Sequence, residues 1–440
     1  MLGYYLDLAL RSFRHNKVLT ALMVLSIGVG IGATMTTLTV LRLLSGDPLP
    51  GRSQHIFYPQ VDAFLDGKPR RNPLDKLDYT STVDLWQAGR ADRQAPIVDS
   101  EIKLLAPETG IPAQMTTMLS TSADFFPMFQ VPFAYGSGWS SEDDTKRARM
   151  AVISADLNDK LFGGKDSVGR LLRIRNSEVR IVGVLAPWRP SPQFYTLAGG
   201  SFAQGDTAGF YARPEDVMVP FFTGLEINDG NFYPWTCWGN PTQLGRLQNI
   251  PCVGLQLWVQ LDSAAKLADY RRFLAGYTAQ QKALGRIAQP ENTRLLNLME
   301  WLEHNRVVPR DVRLQSWLAL AFLAICLFNT VGLLLAKFLR RGGEIGVRRA
   351  LGASRRAVFA QCLAEAGLIG LAGGALGWML TQAGLWGVRR QPVEYADLAH
   401  LDLPMFALTF ALAIAASLAA GLFPAMRASR IAPALQLKTL

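Results

Sequence analysis

Few residues in this chain have the types and spacing that catalysis needs. Two Gly-Lys pairs occur, Gly67-Lys68 and Gly164-Lys165, followed by Pro69 and Asp166. A phosphate-binding P-loop requires Ser or Thr at that position to hold its magnesium. The chain therefore does not hydrolyse ATP by that route. The four histidines, His15, His55, His304 and His400, are isolated, and no spacing among them suits a metal such as zinc. There is no Gly-x-Ser-x-Gly elbow, and Ser100-x-x-Lys103 lacks the companion motifs of serine–lysine acyl enzymes. These readings point to a non-catalytic chain that holds no metal and no cofactor of its own.

Three other features remain. Cys237 and Cys252 have 14 residues between them and can close a disulfide in an oxidising compartment; the alternative is two unpaired thiols. Glu365 lies about one turn inside an apolar run, where a carboxylate reads as the partner of a nearby Arg rather than as a proton relay. The third is Arg340–Gln361, R-R-G-G-E-I-G-V-R-R-A-L-G-A-S-R-R-A-V-F-A-Q, short, basic and punctuated by glycine. Its pattern suggests a small helix onto which something docks. Gly342-Gly343 ends the preceding helix, and Glu344 sits at a helix N-terminus, where negative charge is favoured. Ile345 to Leu351 gives about two turns, Gly352 stops them, and Ser354 caps the next helix. The bland alternative is a basic turn lying on lipid.

The elements that position this stretch are apolar. Val18–Val40, Trp317–Ala336, Ala366–Val388 and Met405–Met426 carry no charge, and each is long enough to cross a hydrocarbon core of about 30 Å. The formal net charge is +10, which resembles a nucleic-acid signal until it is located. Segments 1–17, 337–356 and 427–440 hold thirteen Lys and Arg against Asp7 and Glu344, and the rest of the chain is close to neutral. The excess flanks the spans on one side, the positive-inside pattern. It places both termini and the 337–356 loop in the cytoplasm, with 45–316 and 389–404 outside, and it excludes nucleic-acid binding.

Small residues mark the span contacts. Gly28 and Gly32 form a Gly-x-x-x-Gly pair in the first span, and Gly370, Gly374 and Gly377 smooth one face of the third. They serve helix packing within the chain or contact in a dimer. Tyr4, Leu8 and Phe13 recur at helical spacing before the first span, as in an amphipathic helix on the inner face. No signal-peptide cleavage site follows, so that span is retained.

The external segment reads as α+β in two lobes. Helices are expected over 74–92, 156–162 and 263–285, and strands over 97–105, 111–119, 150–154 and 253–261. Residues 171–185 read as a strand pair turning at Asn176-Ser177, and 186–250 as long aromatic-rich loops that pack on themselves or contact a substrate or partner. Residues 293–316 read as an amphipathic helical stalk running into the second span, a lever or a plain linker. Leu295, Leu298, Met299 and Leu302 share its face and Pro309 interrupts it.

Four stretches in this order resemble the permeases of MacB/FtsX-type ABC transporters. They are the basic helix into a glycine-rich span (11–32) and the S-x-D-F-F…A-V-I-S…L-F-G…V-G-R…V-R-I-V-G-V-L series (122–185). With them come E-I-G-V-R-R-A-L-G-A-S-R-R-A-V-F-A-Q (344–361), the most specific, and P-A-M-R-A-S-R-I-A-P-A-L (424–435). The ATPase domain fused in MacB itself is absent here, and 186–250 matches no pattern of the family. The resemblance implies four transmembrane helices with a large α+β extracytoplasmic domain, a MacB-like periplasmic core, inserted between helices 1 and 2. The expected order is a cytoplasmic amphipathic helix 1–17, span 18–44, periplasmic domain 45–292, stalk 293–316, span 317–338 and cytoplasmic coupling loop 339–356. Span 357–388, periplasmic loop 389–404, span 405–426 and cytoplasmic tail 427–440 complete it.

The resemblance further implies mechanotransmission from the inner membrane. A separate ABC ATPase, which binds ATP and Mg, docks on Glu344, Ile345, Gly346, Val347, Arg348, Arg349, Ala350, Leu351 and Gly352. The permease pairs with a second copy or a related paralogue in the lipid, and a periplasmic adaptor and outer-membrane duct serve some relatives. Export of an antibiotic, peptide or other small molecule is the expected outcome. Lipoprotein release, or a signalling scaffold that controls cell-wall hydrolases, are the alternatives.

Overall fold

The computed structural model describes residues 17–65, 70–200, 208–241, 243, 245–248 and 250–430. The amphipathic stretch expected before Lys17, the Gly67-Lys68 pair and the tail beyond Arg430 lie outside these residues. The chain divides into two units. One joins the described residues up to Ser45 with those from Val308; the other is Gly46–Val307. In chain order the helices of seven residues or more are α1 (Lys17–Ser45), α2 (Tyr79–Gln87), α3 (Ala155–Phe162), α4 (Phe221–Ile227) and α5 (Ala264–Ala283). They continue with α6 (Leu298–His304), α7 (Arg310–Arg340), α8 (Gly342–Ala350), α9 (Arg355–Arg389) and α10 (Leu403–Ser429).

In the first unit, α1, α7, α9 and α10 are long and apolar enough to cross a membrane. Among the described residues, two have side-chain caps. Ser354 Oγ accepts the Ala357 N–H at 3.1 Å to start α9. Asp402 Oδ1 accepts the Met405 N–H at 2.9 Å to start α10, with Pro404 in the first turn. Glycine sets the close contacts. A Cβ built on Gly28 would lie 2.7 Å from Leu376 Cδ2, and one on Gly32 would lie 2.7 Å from Leu380 Cβ. From α9, Gly377 faces Ile31, while Gly370 and Gly374 face Ser417 and Ala413. One helix thus presents two smooth faces, to α1 and to α10. Gly28 and Gly32 meet Leu376 and Leu380 of the same chain, as the packing alternative expects. Thr34 and Ser26 add hydrogen bonds from α1 to carbonyls of α7, at 3.0 Å to Ala319 and 3.2 Å to Cys326.

The second unit carries β1 (Ile56–Val61), β2 (Leu77–Asp78), β3 (Arg93–Leu105), β4 (Gln114–Thr121), β5 (Phe133–Gly136) and β6 (Met150–Ile153). It also carries β7 (Leu171–Ile174), β8 (Ser177–Leu185), β9 (Val217–Pro220), β10 (Thr236–Cys237), β11 (Cys252–Gln260) and β12 (Thr293–Asn297). Their main order is β12-β1-β11-β3-β4-β9-β6-β8-β5. β3 joins two halves: Arg93–Ile97 pairs with β11, and Val98–Leu104 pairs with β4. Each half has its own core. Ile102, Met118, Ile153, Leu157 and Val217 share one cluster. Phe57, Leu257, Val259, Tyr270 and Leu274 share another, under α5. Tyr270, Leu274 and Tyr277 are spaced to line the buried face of α5.

Several expectations are corrected. Thr293–Asn297 is a strand paired with β1, not helix, and a capping box between Asn297 and Glu300 starts α6 only after it. Leu295 alternates into the sheet core, and α6 ends before α7 begins, so the expected stalk is not one lever. The β7–β8 hairpin turns at Arg175-Asn176, one residue early, with Arg175 at φ 54° and Ile174 opposite Ser177. The segment 186–250 is not all loop, because β9 lies between β4 and β6 in the sheet. β11 is buried along its whole length rather than on alternate residues. Part of this segment covers its second face, where Gln256 and Trp258 donate to the Leu197 and Tyr195 carbonyls at 3.0 Å.

Candidate functional site

The basic stretch forms a defined helix held by its arginines. α7 ends at Arg340, and Arg341 occupies the break at φ −94° and ψ 13°. The glycines do not make this break, contrary to expectation; Gly342 and Gly343 form the first turn of α8. The Arg341 side chain bridges instead, donating to Glu344 Oε2 through Nε at 2.9 Å and to Glu365 Oε2 through Nη1 at 3.1 Å. Glu344 lies in the first turn and also meets Arg348 at 3.0 Å, an i,i+4 pair. Arg348 Nη1 donates to Gln361 Oε1 on α9 at 3.1 Å, and Arg349 Nη1 donates to the Ser429 carbonyl of α10 at 3.2 Å. Ile345 packs on the core of the four long helices, and Gly342 and Gly346 are buried. Gly352, at φ 103°, takes the left-handed conformation that ends the helix.

These anchors leave one apolar edge outward. Val347 is 41% exposed and Leu351 is 83% exposed, with Ala350 exposed between them. Their i, i+3, i+4 spacing makes a ridge about one turn long. Arg355 and Arg356 are exposed beside it. A lone exposed leucine has no meaning by itself. Here three exposed apolar residues lie along one edge of a helix whose arginines are anchored to α9 and α10.

Glu365 is 2% exposed, and among the described residues two cations meet it, not one. Beside Arg341 stands Lys337 Nζ, 2.5 Å from Glu365 Oε1. Sequence reasoning missed Lys337 by counting it with the charged loop. The signal was present: Leu323, Cys326, Thr330, Leu334 and Lys337 recur three or four apart, and all are buried. Lys337 thus continues the inward stripe of α7 instead of leaving it.

In the other unit, Cys237 and Cys252 are bonded across directly opposed residues of β10 and β11. The aromatic segment packs largely on its own unit: Phe194, Tyr195 and Phe221 are fully buried, while Tyr233 is exposed. Beneath it lies a buried carboxylate. Glu215 Oε1 accepts from Gln193 Nε2 at 2.9 Å and Oε2 from the Tyr195 hydroxyl at 2.8 Å. Burial, then the negative charge of Asp99, raises Glu215 to about 7. Asp144, raised by burial to about 6, accepts from the Ala123 N–H and from Trp139 Nε1, both at 2.8 Å. Among the described residues, no group of His, Cys, Asp and Glu is placed to hold a metal ion.

Comparison with known proteins extends this reading. Residues 20–272 match the family described as MacB-like periplasmic core domain, and 316–433 match the FtsX-like permease C-terminal family. The macrolide export ATP-binding/permease protein MacB of Wolinella succinogenes is 22% identical, over 98% of this chain and 60% of its own length. The pyoverdine export ATP-binding/permease protein PvdT of Pseudomonas putida is 22% identical, over 97% of this chain and 58% of its own. The chain thus spans less than two thirds of either relative. The periplasmic region of MacB from Actinobacillus actinomycetemcomitans aligns at TM-score 0.35 and 12% identity, over 58% of this chain and 94% of that one. With one family match covering more than half of its length and a second covering its last three long helices, the chain belongs to the MacB/FtsX-like family of ABC transporter permeases.

Proposed function

We propose that this chain is the membrane subunit on which a separate ABC ATPase acts, docking on α8 and driving conformational change in Gly46–Val307. The observation that carries the reading is the outward Val347–Ala350–Leu351 ridge on a helix pinned by Arg341, Arg348 and Arg349. A helix that transmits force must be fixed to the body it moves and free on the side that is gripped. α8 meets both conditions. The positive charge around it supports a position at the cytoplasmic face of an inner membrane. One span precedes Gly46, so Gly46–Val307 is extracytoplasmic in this reading, where its disulfide is stable. Export of a small molecule or peptide is the outcome that the export proteins among its relatives suggest, with a second permease copy, an adaptor and an outer-membrane duct as further partners.

Co-purification of the full chain with the ATPase encoded beside it tests the docking. Burying a leucine side chain contributes about 2 kcal/mol, so Leu351→Ala weakens ATPase binding about 30-fold. Leu351→Glu abolishes it. Undiminished binding by both variants refutes the docking reading.

A further inference from the structure

An unbroken series of charged contacts leaves α8 and enters the four-helix unit. Arg348 Nη2 meets Glu344 Oε1 at 3.0 Å, and Glu344 Oε2 accepts from Arg341 at 2.9 Å. Arg341 Nη1 donates to Glu365 Oε2 at 3.1 Å, and Glu365 Oε1 meets Lys337 Nζ at 2.5 Å. Lys337 Nζ also donates to Thr20 Oγ1 at 3.2 Å. The links belong in turn to α8, the break before it, α9, α7 and α1. Thr20, Lys337 and Glu365 are 7%, 0% and 2% exposed.

Stability does not explain this arrangement. Burying a charge costs several kcal/mol even after relaxation, and apolar residues of the same volume commonly serve a core as well or better. The surrounding contacts between α9 and its neighbours are smooth, lined by Gly370, Gly373, Gly374 and Gly377. The Glu365 carboxylate differs because each oxygen is engaged by a different cation, so its hydrogen bonds fix a direction. Lys337 and Arg341 are four residues apart, on the last turn of α7 and at the break after it. Glu365 therefore clasps α7 at the point where the chain turns into α8.

We propose that the Lys337–Glu365–Arg341 bridge is the positioning element through which displacement of α8 is passed to α7 and α1. This rests on reading α8 as the ATPase docking helix. Without the bridge, α8 is still gripped but the long helices do not follow it.

The test uses the full chain in lipid nanodiscs with its ATPase subunit, and two variants. The first is Lys337→Met with Glu365→Gln, a neutral pair of similar volume; the second is Lys337→Met alone, which leaves Arg341 on Glu365 and α8 pinned as before. Three quantities are read: ATPase co-purification, amide exchange in α8 on ATPase binding, and the change in exchange of α1 and α7 on adding ATP with vanadate. Both variants are expected to retain the ATPase and the protection of α8, and to lose the nucleotide-dependent change in α1 and α7. The neutral pair keeps a thermal midpoint close to that of the wild type, which separates positioning from mere support of the fold. A wild-type response of α1 and α7 in either variant overturns the proposal while leaving docking intact. Failure of the wild-type chain to retain the ATPase overturns the docking reading, and this proposal falls with it.

Discussion

Glu215 makes the stability of the second unit depend on pH, and Glu215→Gln removes that dependence. In the unfolded chain this carboxyl titrates near its ordinary 4.5; in the fold it holds its proton to about 7. Below 4.5 both states are protonated and the site carries no penalty. As pH rises from 4.5 to about 7 the unfolded chain ionises while the fold holds its proton, so stability falls. Above about 7 the loss is complete, and the gap between the two values corresponds to about 3 kcal/mol. For a unit of this size 3 kcal/mol is about 6 °C in thermal midpoint. Glutamine is neutral throughout, and its amide can still serve Gln193 and Tyr195. Scanning fluorimetry of the intact protein from pH 5 to 8 is the assay, read as variant minus wild type. The subtraction matters because Asp144, raised to about 6, tilts both proteins in the same direction. The difference is expected to be about 2 °C at pH 5 and to grow to about 6 °C in favour of the variant at pH 8. A difference that is constant across this range refutes the reasoning.

The other predictions concern packing and the covalent link. Gly377→Leu in α9 places a side chain where even a Cβ meets Ile31 Cγ2 at 2.9 Å, and overpacking costs about 1–3 kcal/mol. The thermal midpoint in detergent is expected to drop, whereas Gly387→Leu, on the same helix with nothing within 4 Å, leaves it unchanged. Equal effects at both sites refute the close α1–α9 contact. Removing the Cys237–Cys252 disulfide reopens a loop with 15 residues of sequence separation, a loss of about 3 kcal/mol. Cys237→Ser with Cys252→Ser is expected to match the reduced wild type in thermal midpoint, and reducing agent is expected to leave the double variant unchanged.

Sequence pattern reached the fold where one physical term dominates. Uncharged runs over 18–40 and 405–426 mark spans because hydrocarbon admits little else, and the helices there extend only a turn or so beyond them. The pattern failed where tertiary partners decide. Thr293–Asn297 has leucines that suit a helix face as well as a strand, and the edge of β1 makes it a strand. β9 has only four residues, Val217–Pro220, buried on both faces in an aromatic-rich segment; nothing local separates it from a loop. The alternation in β11 was real in sequence, but Gln256 donates to the Leu197 carbonyl and Gln260 accepts from Arg52 and Arg93, so both faces are buried.

The candidate site divides along the same line. The glycine stop, the Ser354 cap and the first-turn Glu344 are local features and were legible. The bridge was not, because Lys337, Arg341 and Glu365 meet only after α7 and α9 have packed. A count of charges assigns Lys337 to the cytoplasmic surface, yet its place in the stripe with Thr330 and Leu334 assigns it to the interior. The two assignments hold together only if a carboxylate waits inside, and Glu365 is the ionisable residue that interrupts the apolar run of α9. A lone acid in a span and a lysine on the buried stripe of its neighbour are thus one observation. Where both flank a short basic helix, the bridge between them joins that helix to the spans by direction as well as by proximity.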